Sequence, residues 1–140
     1  MRIDRAVDLW AIAREVSDAN VALLDNPGSP SRLGKISYLG LFPQDELRVR
    51  QGEDPSRAFT GLAELLQDRG ENDEGPQFQS GLIGYLAYEL LHGIEPAVAK
   101  SQAPAPIGDL AHFVRFGVIL AVDAAAGCTW ICGEDPSLVA

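Results

Sequence analysis

Apolar residues recur at helical spacing in two parts of the chain. Residues 4–19 carry the first such pattern, and Asp4 is a suitable N-cap for a helix that begins there. A second helix is predicted to begin at Asp54, because aspartate followed by Pro55 is a favourable helix start, and to end at Gly70. The apolar residues expected on its buried face are Phe59, Leu62, Leu65 and Leu66.

Shorter apolar stretches between and after these helices predict β-strands. The predicted strands cover residues 21–24, 36–42, 47–50, 110–122 and 128–132. Pro43 is expected to end the second of them, since proline cannot donate to a strand ladder. The run from Gly81 begins as a strand and turns helical near residues 87–91, and residues 96–108 form an extended connector. Hairpins and mixed neighbours indicate an α+β fold with a mostly antiparallel sheet and two or three helices.

The length and composition of the chain fit one globular domain of residues 1–140. At 140 residues, with 46% hydrophobic residues, the chain is long enough to bury a core of its own. A net charge of −9 argues against nucleic acid as a partner, because proteins that bind it carry a basic stripe. No apolar run reaches the ~20 residues of a membrane helix, and the first residues lack a signal-peptide pattern. We therefore expect a cytoplasmic protein with no membrane partner.

The residues that most often carry catalysis are few and scattered. His92 and His112 are the only histidines in the sequence, and neither lies in a cluster with ligand spacing. Cys128 and Cys132 would lie ~13 Å apart in an extended strand, too far for a disulfide, and are expected to be free thiols. Residues 81–84 contain two glycines but lack the lysine and hydroxyl residue of a phosphate-binding loop. We expect no catalytic residue, metal or cofactor in this chain.

One run combines glycines, tyrosines and carboxylates in a way that an ordinary core strand does not need. Residues 78–90 (FQSGLIGYLAYEL), followed by Glu95, resemble a segment in the N-terminal domain of component I of anthranilate synthase and of aminodeoxychorismate synthase. Three further segments are similar to that domain, in the same order: residues 23–26 (LLDN), 33–40 (LGKISYLG) and 109–123 (DLAHFVRFGVILAVD). The ordered set is typical of this superfamily and separates its members poorly.

The resemblance implies a division of labour between domains. In these enzymes chorismate and magnesium bind in a larger C-terminal domain, and a glutamine amidotransferase subunit supplies the ammonia. This chain would be the regulatory or structural N-terminal domain, excised or encoded by a gene fragment, and not catalytic alone. Magnesium would be needed only by the absent catalytic domain. The Tyr-Glu-Leu variant at residues 88–90 favours the aminodeoxychorismate branch, which feeds folate, over anthranilate synthase, which feeds tryptophan.

The resemblance also implies a binding site for an amino acid such as tryptophan. By matching motifs, Leu24, Asp25, Asn26 and Lys35 are the residues that would flank it. Asp25 would bind the α-ammonium group and Lys35 the α-carboxylate. Asn26 stands where the family has serine, and its larger amide would weaken binding. Alternatively, Asp25, Asn26 and Pro27 are a turn at the end of a strand, where such residues are favoured.

Three residues of the glycine-containing run have two interpretations. Tyr85, Tyr88 and Glu89 would line the domain interface or the edge of the pocket, or else the tyrosines are packing residues. Apolar faces that the family covers with its catalytic domain would be exposed here, so we expect a homodimer. Two alternatives to a synthase domain stay open. They are a free-standing amino-acid-binding regulatory module and a structural domain with a non-functional pocket.

Overall fold

The computed structural model describes residues 1–16, 20–26, 35–66, 75–95, 97 and 108–134. The strands of this part are β1 (Arg2–Ile3), β2 (Ala22–Leu24), β3 (Ile36–Arg50), β4 (Leu82–Leu86), β5 (Asp109–Asp123) and β6 (Cys128–Cys132). The helices are α1 (Leu9–Glu15), α2 (Arg57–Leu65) and α3 (Leu90–Ile94). The end predicted for the second helix at Gly70 and most of the predicted connector at residues 96–108 lie outside the described residues.

The strands form a six-stranded sheet in the order β1-β6-β5-β3-β2, with β4 paired to β5. The pairings of β1 with β6, β2 with β3, and β5 with β6 are antiparallel. The predicted α+β class with a mostly antiparallel sheet is therefore confirmed. Among the helices that the structure describes, none has the length and apolar character needed to cross a membrane.

The first helix begins later than its sequence pattern predicts. Asp8, and not Asp4, is the N-cap of α1, and its side chain accepts a hydrogen bond from the Ala11 backbone N–H at 3.0 Å. Between β1 and α1, the Thr129 hydroxyl of β6 donates to the Arg5 carbonyl oxygen at 2.8 Å and accepts the Val7 backbone N–H at 3.2 Å. Hydrogen bonds to a strand distant in the sequence thus hold residues 5–7 outside the helix that the local pattern favours.

β3 is one continuous strand of 15 residues, so the end predicted at Pro43 is wrong. β2 pairs with β3 only as far as Gly40. Beyond that register, the proline lies where β2 no longer requires a backbone N–H from β3, and such edge positions tolerate proline. The neighbouring Phe42 has a φ of 57°, which is rare for a bulky side chain. The strand therefore passes the proline through a local distortion.

The chain divides into two compact units, and the first contains Met1–Gln44, Glu71–Ile83 and Arg115–Ala140. Its buried core joins α1 to the sheet and consists of Leu9, Leu39, Leu41, Val118, Leu120, Val122 and Ile131. Side chains alternate along a strand, so Tyr38 faces away from Leu39. The ring of Phe78 meets Tyr38 edge-on, with 5.6 Å between centroids. The ring of Phe116 lies over Gly40, where an added Cβ would be 2.5 Å from the ring.

The second unit contains Asp45–Gly70 and Gly84–Val114. Its buried core consists of Val49, Ala58, Leu90, Leu110 and Ala111. α2 begins after Ser56, so Asp54 is not its N-cap, although the Asp54 carboxylate accepts the Ser56 backbone N–H at 3.0 Å. Ala58 is the buried residue of α2, whereas Phe59 and Leu66 are 47% and 49% exposed. The face predicted for this helix is therefore wrong at those two positions.

The glycine-containing run forms β4 followed by α3, which confirms the predicted change from strand to helix. Gly84 lies against the backbone of β5. A side chain there would overlap the carbonyl oxygen of His112, and its Cβ would be 2.5 Å from the Cα of Phe113. The glycine thus permits a close approach of two strands, as glycines within strands often do.

Both cysteines are free, as the sequence predicts. They lie at the two ends of β6, where Cys128 is buried and Cys132 is half-buried. Burial raises the pKa of the Cys132 thiol. Cys132 therefore lacks the acidic character of a reactive cysteine, and Cys128 lacks the exposure.

Candidate functional site

The antiparallel pairing of β2 with β3 brings two of the singled-out segments side by side. Leu24 is opposite Tyr38 in the register. Asp25 directly follows β2, and Lys35 directly precedes β3, so the two flank the same end of this strand pair. Leu24, Asp25 and Lys35 are exposed, and Asn26 is half-buried.

The Asp25 carboxylate is held by two neutral donors. The indole Nε1–H of Trp10 donates to Oδ2 at 2.7 Å, and the Ser37 hydroxyl donates to Oδ1 at 2.9 Å. The Ser37 oxygen in turn accepts the Asn26 backbone N–H at 2.9 Å. One carboxylate therefore links α1, the end of β2 and the start of β3.

These hydrogen bonds also set the charge of the site. The indole N–H of Trp10, followed by the Ser37 hydroxyl, lowers the pKa of Asp25 below its ordinary value. Hydrogen bonds from neutral donors stabilise the charged form of a carboxyl group. Asp25 is therefore ionised at neutral pH and fixed in orientation before any ligand arrives.

The Asp25 network predicts a pH-dependent contribution to stability. Because the pKa of Asp25 is lower in the folded chain than the ~3.9 of an unfolded aspartate, its contribution is present above that value. It is lost as the pH falls through the folded pKa. We expect wild type to be more stable than Asp25→Asn from pH 5 to 8, with the difference shrinking below pH ~4. Urea unfolding of both proteins at each pH measures this, and a difference that widens in acid would contradict it.

The second group of predicted residues lies on β4 and just after it. Tyr85 meets the ring of His112 edge-on, with 6.1 Å between centroids. Tyr88 is 77% exposed, so it packs little within the chain, and Glu89 is half-buried beside α3. These three residues belong to the second unit, whereas Asp25 and its neighbours belong to the first.

His112 borders a group of ion pairs in the second unit. Its Nε2 lies 2.8 Å from Oε1 of Glu46, although the ring N–H is not aligned for a hydrogen bond. The same carboxylate oxygen pairs with Arg48 at 2.9 Å, and Arg48 reaches Asp109 at 3.3 Å. Partly exposed pairs of this kind contribute little stability each. In the part of the chain that the structure describes, no group of three or more metal-ligating side chains is present.

Trp10 and Ser37 belong to the Asp25 network, but neither is among the site residues predicted from the sequence. Trp10 reads as an apolar residue of the first helix, and Ser37 as a small residue inside a strand motif. No local signal links Trp10 to Asp25, because the contact depends on where α1 packs. Ser37 stands two residues after Lys35, so its side chain faces the same side of an extended chain. That spacing is the one signal that could have included it.

The fold and the site define an α+β domain with an oriented, ionised carboxylate at the end of a strand. No protein-family model matches the chain, and no curated protein matches it either.

Proposed function

We propose that the chain is the N-terminal domain of component I of a chorismate-aminating synthase, with a site for an amino acid such as tryptophan. One observation carries the proposal. The two motifs to which the resemblance assigns amino-acid binding, residues 23–26 and 33–40, are joined by the 2.9 Å hydrogen bond from Ser37 to Asp25. An accidental match of two short motifs would not require them to pair in space.

Further support comes from the placement of the other two motifs. Residues 78–90 supply β4, and residues 109–123 coincide with β5, its partner in the sheet. Each of the four motifs therefore contributes to the one sheet. In the second unit, several large apolar side chains are exposed: Phe59, Leu66, Tyr85, Leu86, Tyr88 and Ile94. Such side chains suit a domain that is covered by a partner, either the chorismate-binding domain or a second copy.

In this proposal the chain supports chemistry that takes place elsewhere. The chorismate-binding domain holds chorismate and magnesium, and a glutamine amidotransferase subunit supplies ammonia. The aminodeoxychorismate branch, which leads to folate, is preferred over the anthranilate branch, which leads to tryptophan.

The proposal is tested by fusing the chain to chorismate-binding domains from both branches. We expect the fusion to the aminodeoxychorismate domain to form product from chorismate, ammonia and magnesium faster than that domain alone. The unfused chain should form none. Comparison with the matched fusion to the anthranilate synthase domain shows which of the two enzymes the chain supports. Product formed by the chain alone, or no gain in either fusion, would contradict the proposal.

The amino-acid site has its own expected result. If Lys35 binds the α-carboxylate of tryptophan, Lys35→Ala removes a charge-assisted hydrogen bond worth roughly 1.5–3 kcal/mol. Affinity should then fall about ten- to a hundredfold by titration calorimetry. Lys100→Ala makes the same change of charge at the only other lysine of the sequence and serves as the control. Equal affinities of the two variants would remove Lys35 from the site.

Asn26 requires a separate variant, because its backbone and side chain have different roles. The backbone N–H donates to Ser37 and is kept in Asn26→Ser. Since only the side chain changes, the Asp25 network should survive, and tryptophan should bind more tightly if the amide obstructs the site. No heat from wild type, Lys35→Ala or Asn26→Ser would favour the alternative that Asp25 and Asn26 form a turn.

A further inference from the structure

The indole of Trp10 is hydrogen-bonded through its N–H, while much of the ring is exposed to solvent. Its Nε1–H is held by Asp25 at 2.7 Å, yet the side chain is 52% exposed. Large aromatic side chains usually bury most of their surface. The hydrogen bond therefore fixes the ring in place while leaving ring surface accessible beside a carboxylate.

The Asp25 carboxylate has acceptor capacity that its neighbours do not use. Trp10 donates to Oδ2 and Ser37 donates to Oδ1, and the Asn26 backbone N–H contributes least, whereas a carboxylate offers about four lone-pair sites. Within the described residues, no arginine or lysine forms a salt bridge with Asp25, and both donors are neutral. A fixed negative charge with open acceptor sites is suited to a cation that donates hydrogen bonds.

We propose that Trp10 and Asp25 together recognise a primary ammonium group. The carboxylate accepts hydrogen bonds from the ammonium, and the exposed indole face attracts the same charge through its ring quadrupole. Trp10 is also a positioning residue, because its N–H fixes the rotamer of Asp25. This inference rests on the proposed function, since it names the residue that completes the ammonium end of that site.

Three probes separate the two ends of the ligand. Tryptamine carries the ammonium without the carboxylate, indole-3-propionate carries the carboxylate without the ammonium, and tryptophan carries both. The sequence contains two tryptophans, so the protein gives two indole N–H signals in a ¹⁵N-labelled sample. Loss of one signal in Trp10→Phe and of the other in Trp130→Phe assigns them. We expect tryptamine to shift the Trp10 signal and leave that of Trp130 unchanged.

Affinities of the variants then distinguish the two contributions of Trp10. Trp10→Phe keeps an aromatic face but loses the N–H, and Trp10→Leu loses both. We expect tryptamine to bind about threefold more weakly to Trp10→Phe and about tenfold more weakly to Trp10→Leu. Indole-3-propionate should bind both variants as it binds wild type, which a general loss of structure would not produce. Trp130→Phe is the matched control and should bind tryptamine normally.

A double variant tests whether Trp10 acts through Asp25. In the Asp25→Asn background, Trp10→Phe should cause little further loss of tryptamine affinity, because the carboxylate that it orients is gone. Absence of tryptamine binding to wild type, or equal binding to wild type and Trp10→Leu, overturns the inference. Lys35-dependent tryptophan binding that ignores Trp10 would leave the proposed function intact. Trp10-dependent tryptamine binding without tryptophan binding would instead overturn the amino-acid site and keep the ammonium site.

Discussion

Gly84→Ala should lower the free energy of unfolding by about 3 kcal/mol, the upper part of the usual range for overpacking. The added methyl would overlap the carbonyl oxygen of His112 and lie 2.5 Å from the Cα of Phe113. Both are backbone atoms of β5, so no side chain can rotate away. β4 must either move from its partner or distort, and the second unit should lose stability.

Gly108→Ala is the matched control for this substitution. It changes the same residue type in the same unit, and an added Cβ there meets no atom within 4 Å. We expect it to be neutral or to stabilise by a few tenths of a kcal/mol, through the less flexible unfolded chain. Urea unfolding at equal protein concentration compares the two variants. Equal midpoints would show that β4 accommodates a side chain at Gly84.

Phe116→Ala should cost about 3–5 kcal/mol, the range for removing a large aromatic side chain from a core. Phe116 is 2% exposed, and its ring lies on Gly40 of the neighbouring strand. Truncation leaves a cavity above a residue that has no side chain to fill it. The expected loss is a large fraction of the stability of a typical domain.

The contact between Phe116 and Gly40 can be isolated by a double-mutant cycle. Gly40→Ala alone should destabilise, because its Cβ would be 2.5 Å from the ring. In the Phe116→Ala background the same methyl enters the vacated space, so the second substitution should cost much less. We expect a coupling of about 1–3 kcal/mol between the two sites. Additive effects would mean that the ring and the glycine do not constrain each other.

The local patterns predicted the elements of this fold better than their limits. β5, β6 and the strand-to-helix change after Gly81 lie close to the positions that the sequence predicted. The helix start predicted at Asp4 and the strand end predicted at Pro43 are both wrong, and for the same reason. Helix capping and strand termination are local rules, whereas Thr129 of β6 holds residues 5–7 outside the helix, and β3 continues past Pro43 where β2 has ended.

The candidate site was predictable to the extent that it is local in sequence. Asp25 and Lys35 flank the same end of one strand pair because two adjacent segments, β2 and β3, pair antiparallel. Trp10 enters the site because α1 packs beside the end of β2, and no spacing rule gives that distance. In the same way, Phe59 reads as a core residue from its helical position, yet Ala58 takes the buried place.

The reactivity of the two free thiols reports local opening of the protein. The thiolate is the nucleophile that attacks alkylating reagents, so a half-buried thiol with a raised pKa, such as Cys132, reacts slowly. Cys128 is 1% exposed and can react only when β6 separates from its surroundings. Its rate of alkylation therefore measures how often the β5–β6 hairpin opens. Opening of the first unit can be timed in native buffer, without denaturant and without an introduced probe.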